Sequence, residues 1–194
     1  MKAVYFDVDT QIDFLFPAGA LYVPGAEKIL DAIARLNRHA AEKNALVVST
    51  MDAHSENDPE FRSWPPHCVA GTWGQLKPAA TLLEKRTVLA NSPNKIDLLG
   101  VRQILLEKQT FDCFTNVNLD ALLTNLQAGR YVVYGVVTEI CVKLAAFALL
   151  KTGKRVELVT DAVRSLNDAA AQEILREFTA LGGVLTSTSA ILAG

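Results

Sequence analysis

Cys141 lies in the stretch YVVYGVVTEICVKLAAFALL (residues 131–150), an apolar run that breaks at Gly135 and resumes with a helical period. A thiol in the first turn of a helix meets N–H groups that have no intrahelical partner. Such a position, and a nearby cation, lower a thiol's pKa and favour the reactive thiolate. Cys141 is therefore a candidate nucleophile, and the same N–H groups could face an oxyanion formed at an attacked carbonyl. The competing reading is a buried small apolar residue, the fate of most free cysteines. Cys68 and Cys113 lack this context and read as structural. Lys108, directly after ILLE, could supply the cation or be a solvated strand end. Asp9, after the first apolar run, could be a base or a turn residue bonded to its own backbone. Asp52 and His54 are one residue apart, and His67 follows in the same loop. Two imidazoles and one carboxylate suit a divalent transition metal, zinc, iron or manganese, with positions left open. Two surface histidines in a polar loop are the plainer alternative. Glu56, Asp58 and Glu60 could be ligands or supports, and spacing does not choose among them.

The elements that must position these residues alternate along the chain. Apolar runs at 3–8, 45–50, 101–108, 130–137, 155–160 and 184–188 read as six strands. Helical patterns lie between them: one begins after Pro24-Gly25 and places Ile29, Ile33 and Leu36 on one face. A second is LDALLTNLQAG with Gly129 as its stop, and a third ends at Gly182-Gly183. Alternating strands and helices predict a three-layer α/β/α domain around a doubly wound, mostly parallel six-stranded sheet, Rossmann-like in plan. Ligands of such sheets bind beyond the carboxyl ends of the strands. Asp9, Asp52, Lys108 and Cys141 each follow a strand, so the topology gathers them on one rim. The long irregular segment, about residues 52–78, holds two of the three histidines and both tryptophans. A loop that long in a compact domain is usually functional.

The totals narrow the classes. With 194 residues, half of them apolar, and a net charge of −2, the chain reads as a single domain spanning 1–194 with a real core. No basic excess points to nucleic acid, and no apolar run is long enough for a membrane span. Asp7, Asp9 and Asp13 interrupt the N-terminal apolar stretch, which argues against a signal peptide. Three scattered cysteines form no disulfide framework, so a reducing cytoplasm is the simplest compartment. The composition leaves a homo-oligomer open.

The motifs resemble those of the isochorismatase-like cysteine hydrolases, and within them the nicotinamidase/pyrazinamidase branch. DTQIDF (9–14) is similar to the family's D-x-Q-x-D-F, and Asp52-Ala53-His54 to its D-x-H metal motif. WPPHCVAGTWG (64–74) resembles its W-P-x-H-C-x-x-G-T-x-G, the most specific match. EKQTFDCF (107–114) and GVVTEICV (135–142) resemble its lysine segment and its nucleophile turn. The resemblance implies the isochorismatase-like hydrolase fold and an amidohydrolase acting on a small-molecule amide, nicotinamide above all. It implies a catalytic triad of Asp9, Lys108 and Cys141, and an oxyanion hole from the N–H groups of Val137 and Cys141. A cis peptide at Val136–Val137, metal ligands Asp52, His54 and His67, and substrate walls Phe14 and Trp64 are implied as well. Relatives acting on ureido, carbamoyl or maleamate-type substrates offer an alternative. Three departures stand out: Glu139 where the family often has Asp, Asp7 where an apolar strand residue is usual, and no further histidine in the metal loop. A rival from another class rests on YFDVDT, similar to the D-x-D-x-T of haloacid-dehalogenase-type phosphatases with Asp7 as nucleophile. That reading lacks the expected glycine and leaves Cys141 and His67 without a role. A non-catalytic binding protein is the third reading, and the complete triad argues against it.

Overall fold

The computed structural model describes residues 2–95 and 97–194. Its sheet comprises β1 (Ala3–Val8), β2 (Leu46–Asp52), β3 (Arg86–Leu89), β4 (Gln103–Lys108), β5 (Arg130–Val136), β6 (Arg155–Arg164) and β7 (Val184–Thr186). The strand order is β3-β4-β2-β1-β5-β6-β7, and every pairing is parallel. The sheet thus has seven strands where the apolar runs predict six. The added strand, β3, is four residues long, mostly exposed, and pairs only with β4 at the edge. It carries neither a buried run nor a clean alternation, the two patterns by which strands are read.

The central strands are buried on both faces, and successive side chains point to opposite sides. Val4, Phe6 and Val8 of β1 enter a cluster with Leu122 and Leu126 of α3 (Leu119–Leu126), Ala145 and Leu149 of α4 (Lys143–Leu150), and Phe178 of α5 (Asp168–Ala180). Ala3 and Tyr5 face the other way, into a cluster with Leu15 of the short α1 (Ile12–Leu15), Ile33 and Leu36 of α2 (Leu30–Glu42) and Ile191 of α6 (Thr188–Ala193). This is the predicted three-layer arrangement. The amphipathic stretch after Gly25 begins as a tight turn, Ala26–Ile29, before α2 proper. α3 ends at Leu126, three residues before Gly129, because Gln127 takes the left-handed conformation at φ 48°. Among the described residues no helix is long and apolar enough to cross a membrane.

The chain winds outward in both directions from β1, so the topological switch point lies between β1 and β5. Gly135 is opposite Val8 in that pairing, with φ 123°. A Cβ there would collide with the Val8 carbonyl, so the backbone of β5 can approach the end of β1 only because the residue is glycine. The apolar run broken at Gly135 is thus a packing requirement beside Asp9.

Candidate active site

Asp9, Asp52, Lys108 and Cys141 meet at the carboxyl rim of the central strands. Asp9 is the first residue past β1 and is left-handed, φ 51°, a conformation Asp tolerates better than most residues. Its N–H bonds the Thr50 carbonyl at 3.1 Å, and Thr50 Oγ1 donates to Asp9 Oδ1 at 2.6 Å. Thr50, unremarked among the sequence candidates, therefore orients the carboxylate from the neighbouring strand. Lys108 ends β4 and is fully buried. Its Nζ lies 3.0 Å from Asp9 Oδ2 and contacts Asp52 Oδ1. Burial disfavours its charge, but Asp52 and Asp9 overcome that and hold the ammonium well above its ordinary pKa. Burial raises Asp9 above the usual carboxylate range, against the pull of Lys108. Burial acts on Asp52 too, yet Lys108 and His54 outweigh it and keep that carboxylate low and ionised.

The peptide Val136–Val137 is cis, as the resemblance implies. Beyond it the backbone makes a wide π-type turn over Thr138–Val142 before α4. The N–H groups of Ile140 and Val142 both bond the Val137 carbonyl, at 3.2 Å each, and the Cys141 N–H takes no part in that pair. Such turns are frequent at functional sites. The Cys141 thiol is half-buried beside the rim. Burial pushes its pKa well up, opposed by Lys108 and reinforced by Asp9 and Asp52. This departs from the lowered pKa expected of a helix N-terminus: desolvation, with Asp9 and Asp52, outweighs the one cation. Cys68 and Cys113 are buried with thiols likewise raised by burial, and neither lines the cleft.

Asp52, His54 and His67 come together as expected, with one ligand atom each within 4.8 Å of the others. Asp52 Oδ2 lies 3.8 Å from His54 Nε2 and 3.9 Å from His67 Nε2. Ligands about 2.1 Å from a tetrahedral ion stand about 3.4 Å apart, so a small contraction would close the set. Each ring is held from behind: His54 Nδ1 lies 3.0 Å from Asp58 Oδ2, and His67 Nδ1 is 2.8 Å from the Pro65 carbonyl. Both Nε2 atoms thereby turn inward, the orientation that outer partners give metal-bound imidazoles. Neither His54 ring nitrogen makes a hydrogen bond of good geometry among the described residues; Nδ1 has the Asp58 carboxylate behind it, and Nε2 faces the centre of the cluster, as expected of an atom that awaits a cation. Glu60 Oε1 sits 3.9 Å and 3.7 Å from the two Nε2 atoms. The structure thus separates the acids that spacing could not: Asp58 supports, Glu60 faces the centre, and Glu56 is exposed. The residues present fit a divalent ion.

Gln11 and Asp13 explain the polar spacing of the first motif. Gln11 brackets Asp52, accepting from its N–H at 2.7 Å and donating to its carbonyl at 2.9 Å. Asp13 accepts from the Cys68 N–H at 2.7 Å and the Ala20 N–H at 2.9 Å, which pins the loop bearing His67. Phe14 and Trp64 line one cleft together with Asp9, Asp52, His67, Val137 and Cys141. Phe111, Ile140 and Leu166 are among its other wall residues. These three were not foreseen, since loop residues far apart in sequence carry no mark of a shared cleft. Asp7 is fully buried away from that cleft. It pairs with Lys77 at 3.4 Å and accepts from Ser49 at 2.9 Å and Thr10 at 2.5 Å. With no access to solvent it has the surroundings of a structural ion pair, and the phosphatase reading loses its nucleophile.

Comparison with known proteins agrees with this arrangement. The profile of the Isochorismatase domain matches residues 5–190. The isochorismatase family protein PncA of Bacillus subtilis is 30% identical over 92% of this chain and 94% of its own length. The nicotinamidase of Escherichia coli is 28% identical over 82% of each chain. Among solved structures, the pyrazinamidase of Pyrococcus horikoshii in complex with zinc superposes with a TM-score of 0.82 at 29% identity, covering 96% of this chain and 99% of its own.

Proposed function

The chain belongs to the isochorismatase domain family, and from that membership and the rim geometry we propose a cysteine-dependent amidohydrolase that releases ammonia from a small heteroaromatic carboxamide, nicotinamide first. One observation carries the reading: Asp9, Lys108-paired and buried, and Cys141 line the same apolar cleft as His67 and Asp52 of the metal-type cluster. Relatives named nicotinamidase and pyrazinamidase support the substrate class.

In this mechanism Asp9 accepts the Cys141 proton, and the Lys108 ammonium keeps the resulting charges balanced. The thiolate attacks the amide carbon, and the oxygen that gains charge turns toward the N–H groups of Val137 and Cys141. Asp9 then returns the proton to the departing amine, as a general acid. Water cleaves the Cys141 thioester and frees the carboxylate product. Phe14, Trp64 and Phe111 favour a flat ring. Asp52, His54 and His67 would hold a divalent ion, zinc first given the two imidazoles and the zinc-bound relative, with Glu60 facing it. When bound, such an ion supplies a Lewis-acidic anchor for a ring nitrogen, directly or through water.

Ammonia release from nicotinamide, pyrazinamide, benzamide and a linear ureido acid tests the proposal. Nicotinamide and pyrazinamide should lead, with benzamide far behind because it lacks the ring nitrogen. A preference for the linear acid would transfer the function to the ureido-type amidases.

A further inference from the structure

The cleft wall formed by Leu166 is not part of any regular element. β6 ends at Arg164 and α5 starts at Asp168, so the N–H groups of Leu166 and Asn167 have no strand or helix partner. Both point at one atom. Glu139 Oε1 accepts from the Leu166 N–H and from the Asn167 N–H, at 2.8 Å each. The neighbouring Thr138 Oγ1 adds a third tie, donating to the Arg164 carbonyl at 3.0 Å. Glu139 lies two residues before Cys141 on the π-type turn, and its Oε2 is buried without a hydrogen-bond partner. The carboxylate thus spends its accepting capacity, through one oxygen, on this segment. Leu166 lines the cleft although the residue is 45% exposed, so packing alone does not fix it.

We infer that Glu139 is a positioning residue: it buckles the 165–167 segment to the nucleophile turn and so holds Leu166 as a wall of the substrate cleft, setting affinity and selectivity for the amide. The role rests on the amidase reading for its substrate, but not for its geometry. Glu139 touches no reacting atom. Charge-assisted bonds to two N–H groups are strong ties, and without them the segment has no other anchor for those groups. Loss of the buckle should free the wall and weaken ground-state binding, while Asp9, Lys108 and Cys141 keep their contacts. A change confined to KM is the signature of such binding. Glu139→Gln keeps an oxygen in place of Oε1 and should preserve the buckle.

Steady-state kinetics on nicotinamide would compare wild type, Glu139→Ala, Glu139→Gln, Leu166→Ala and the Glu139→Ala/Leu166→Ala double variant. If Glu139→Ala does not fold, Glu139→Asp, one methylene shorter, takes its place. Losing bonds to a charged acceptor predicts a rise in KM of about tenfold in Glu139→Ala, with kcat nearly unchanged. Leu166→Ala should match it, the double variant should add little to either, and Glu139→Gln should stay close to wild type. Backbone hydrogen exchange is read alongside: Leu166 and Asn167 should lose protection in Glu139→Ala and keep it in Glu139→Gln. A fall in kcat at constant KM, additive effects in the double variant, or unchanged exchange in Glu139→Ala would each overturn the inference. A wild type that releases ammonia from no amide refutes the amidase reading instead. The exchange data alone then decide whether the buckle exists.

Discussion

Replacing Lys108 with Met tests the charge arrangement at its centre. Met keeps the length of the apolar stem and removes the ammonium between Asp9 Oδ2, 3.0 Å away, and Asp52 Oδ1. Both carboxylates are buried, 1% and 3% exposed, so water cannot replace the lost cation. Breaking a buried pair by deleting one partner costs about 3–5 kcal/mol. For a chain of this size that lowers the melting temperature by about 6–20 °C. Asp9 to Asn on top of Lys108→Met removes one stranded charge and should recover part of the loss, because the two sites couple directly. Activity should fall roughly 10²–10⁴-fold, the usual range for disabling a general base, since Asp9 without Lys108 binds its proton more tightly. Urea and thermal unfolding in chelator, which removes any contribution from metal at Asp52, would be followed by tryptophan fluorescence. Lys108→Met unfolding with wild-type stability, or a double variant less stable than Lys108→Met, would refute the reasoning.

Three further outcomes are expected. Cys141→Ala should abolish turnover while Cys68→Ala and Cys113→Ala keep most of it; iodoacetamide labelling read by peptide mass spectrometry should modify Cys141 ahead of the other two, and an inert Cys141 would remove it as nucleophile. Purified protein should carry about one divalent ion per chain by elemental analysis, lost in His54→Ala or His67→Ala; retention in both variants would place any metal elsewhere. Asp9 must be ionised to accept the thiol proton, and burial raises its pKa, so activity should be full above that raised value and decline as pH falls through it. The acid limb of kcat/KM should therefore lie above the ordinary carboxylate value of about 4 and move higher in Lys108→Met; a limb at the ordinary value would contradict the burial argument.

Much of the rim was legible because strand ends are legible. Asp9, Asp52 and Lys108 follow apolar runs whose direction and parallel pairing are implied by the alternation of strands and helices, and Cys141 follows the break at Gly135. The three metal-type residues were legible from their types and local spacing. The rest depended on distant parts of the chain. Thr50 matters because it is paired beside Val8 in the sheet, and nothing local marks it. Asp58 and Glu60 differ only in which way a short turn points them. Phe111 and Leu166 reach the cleft from loops after β4 and β6, and β3 is too short and exposed to announce itself. The direction of the thiol's shift is hidden from the sequence for a related reason: a helix-terminus argument counts local dipoles, whereas the burial and the carboxylates that prevail at Cys141 are set by the ends of β1 and β2.

The most direct test of covalent catalysis at Cys141 is intact-mass spectrometry of enzyme acid-quenched during turnover of nicotinamide. The account predicts a mass gain of one nicotinoyl group, mapped to Cys141 and absent from Cys141→Ala. Steady turnover with no adduct on Cys141, and ammonia release undiminished in Cys141→Ala, would contradict it.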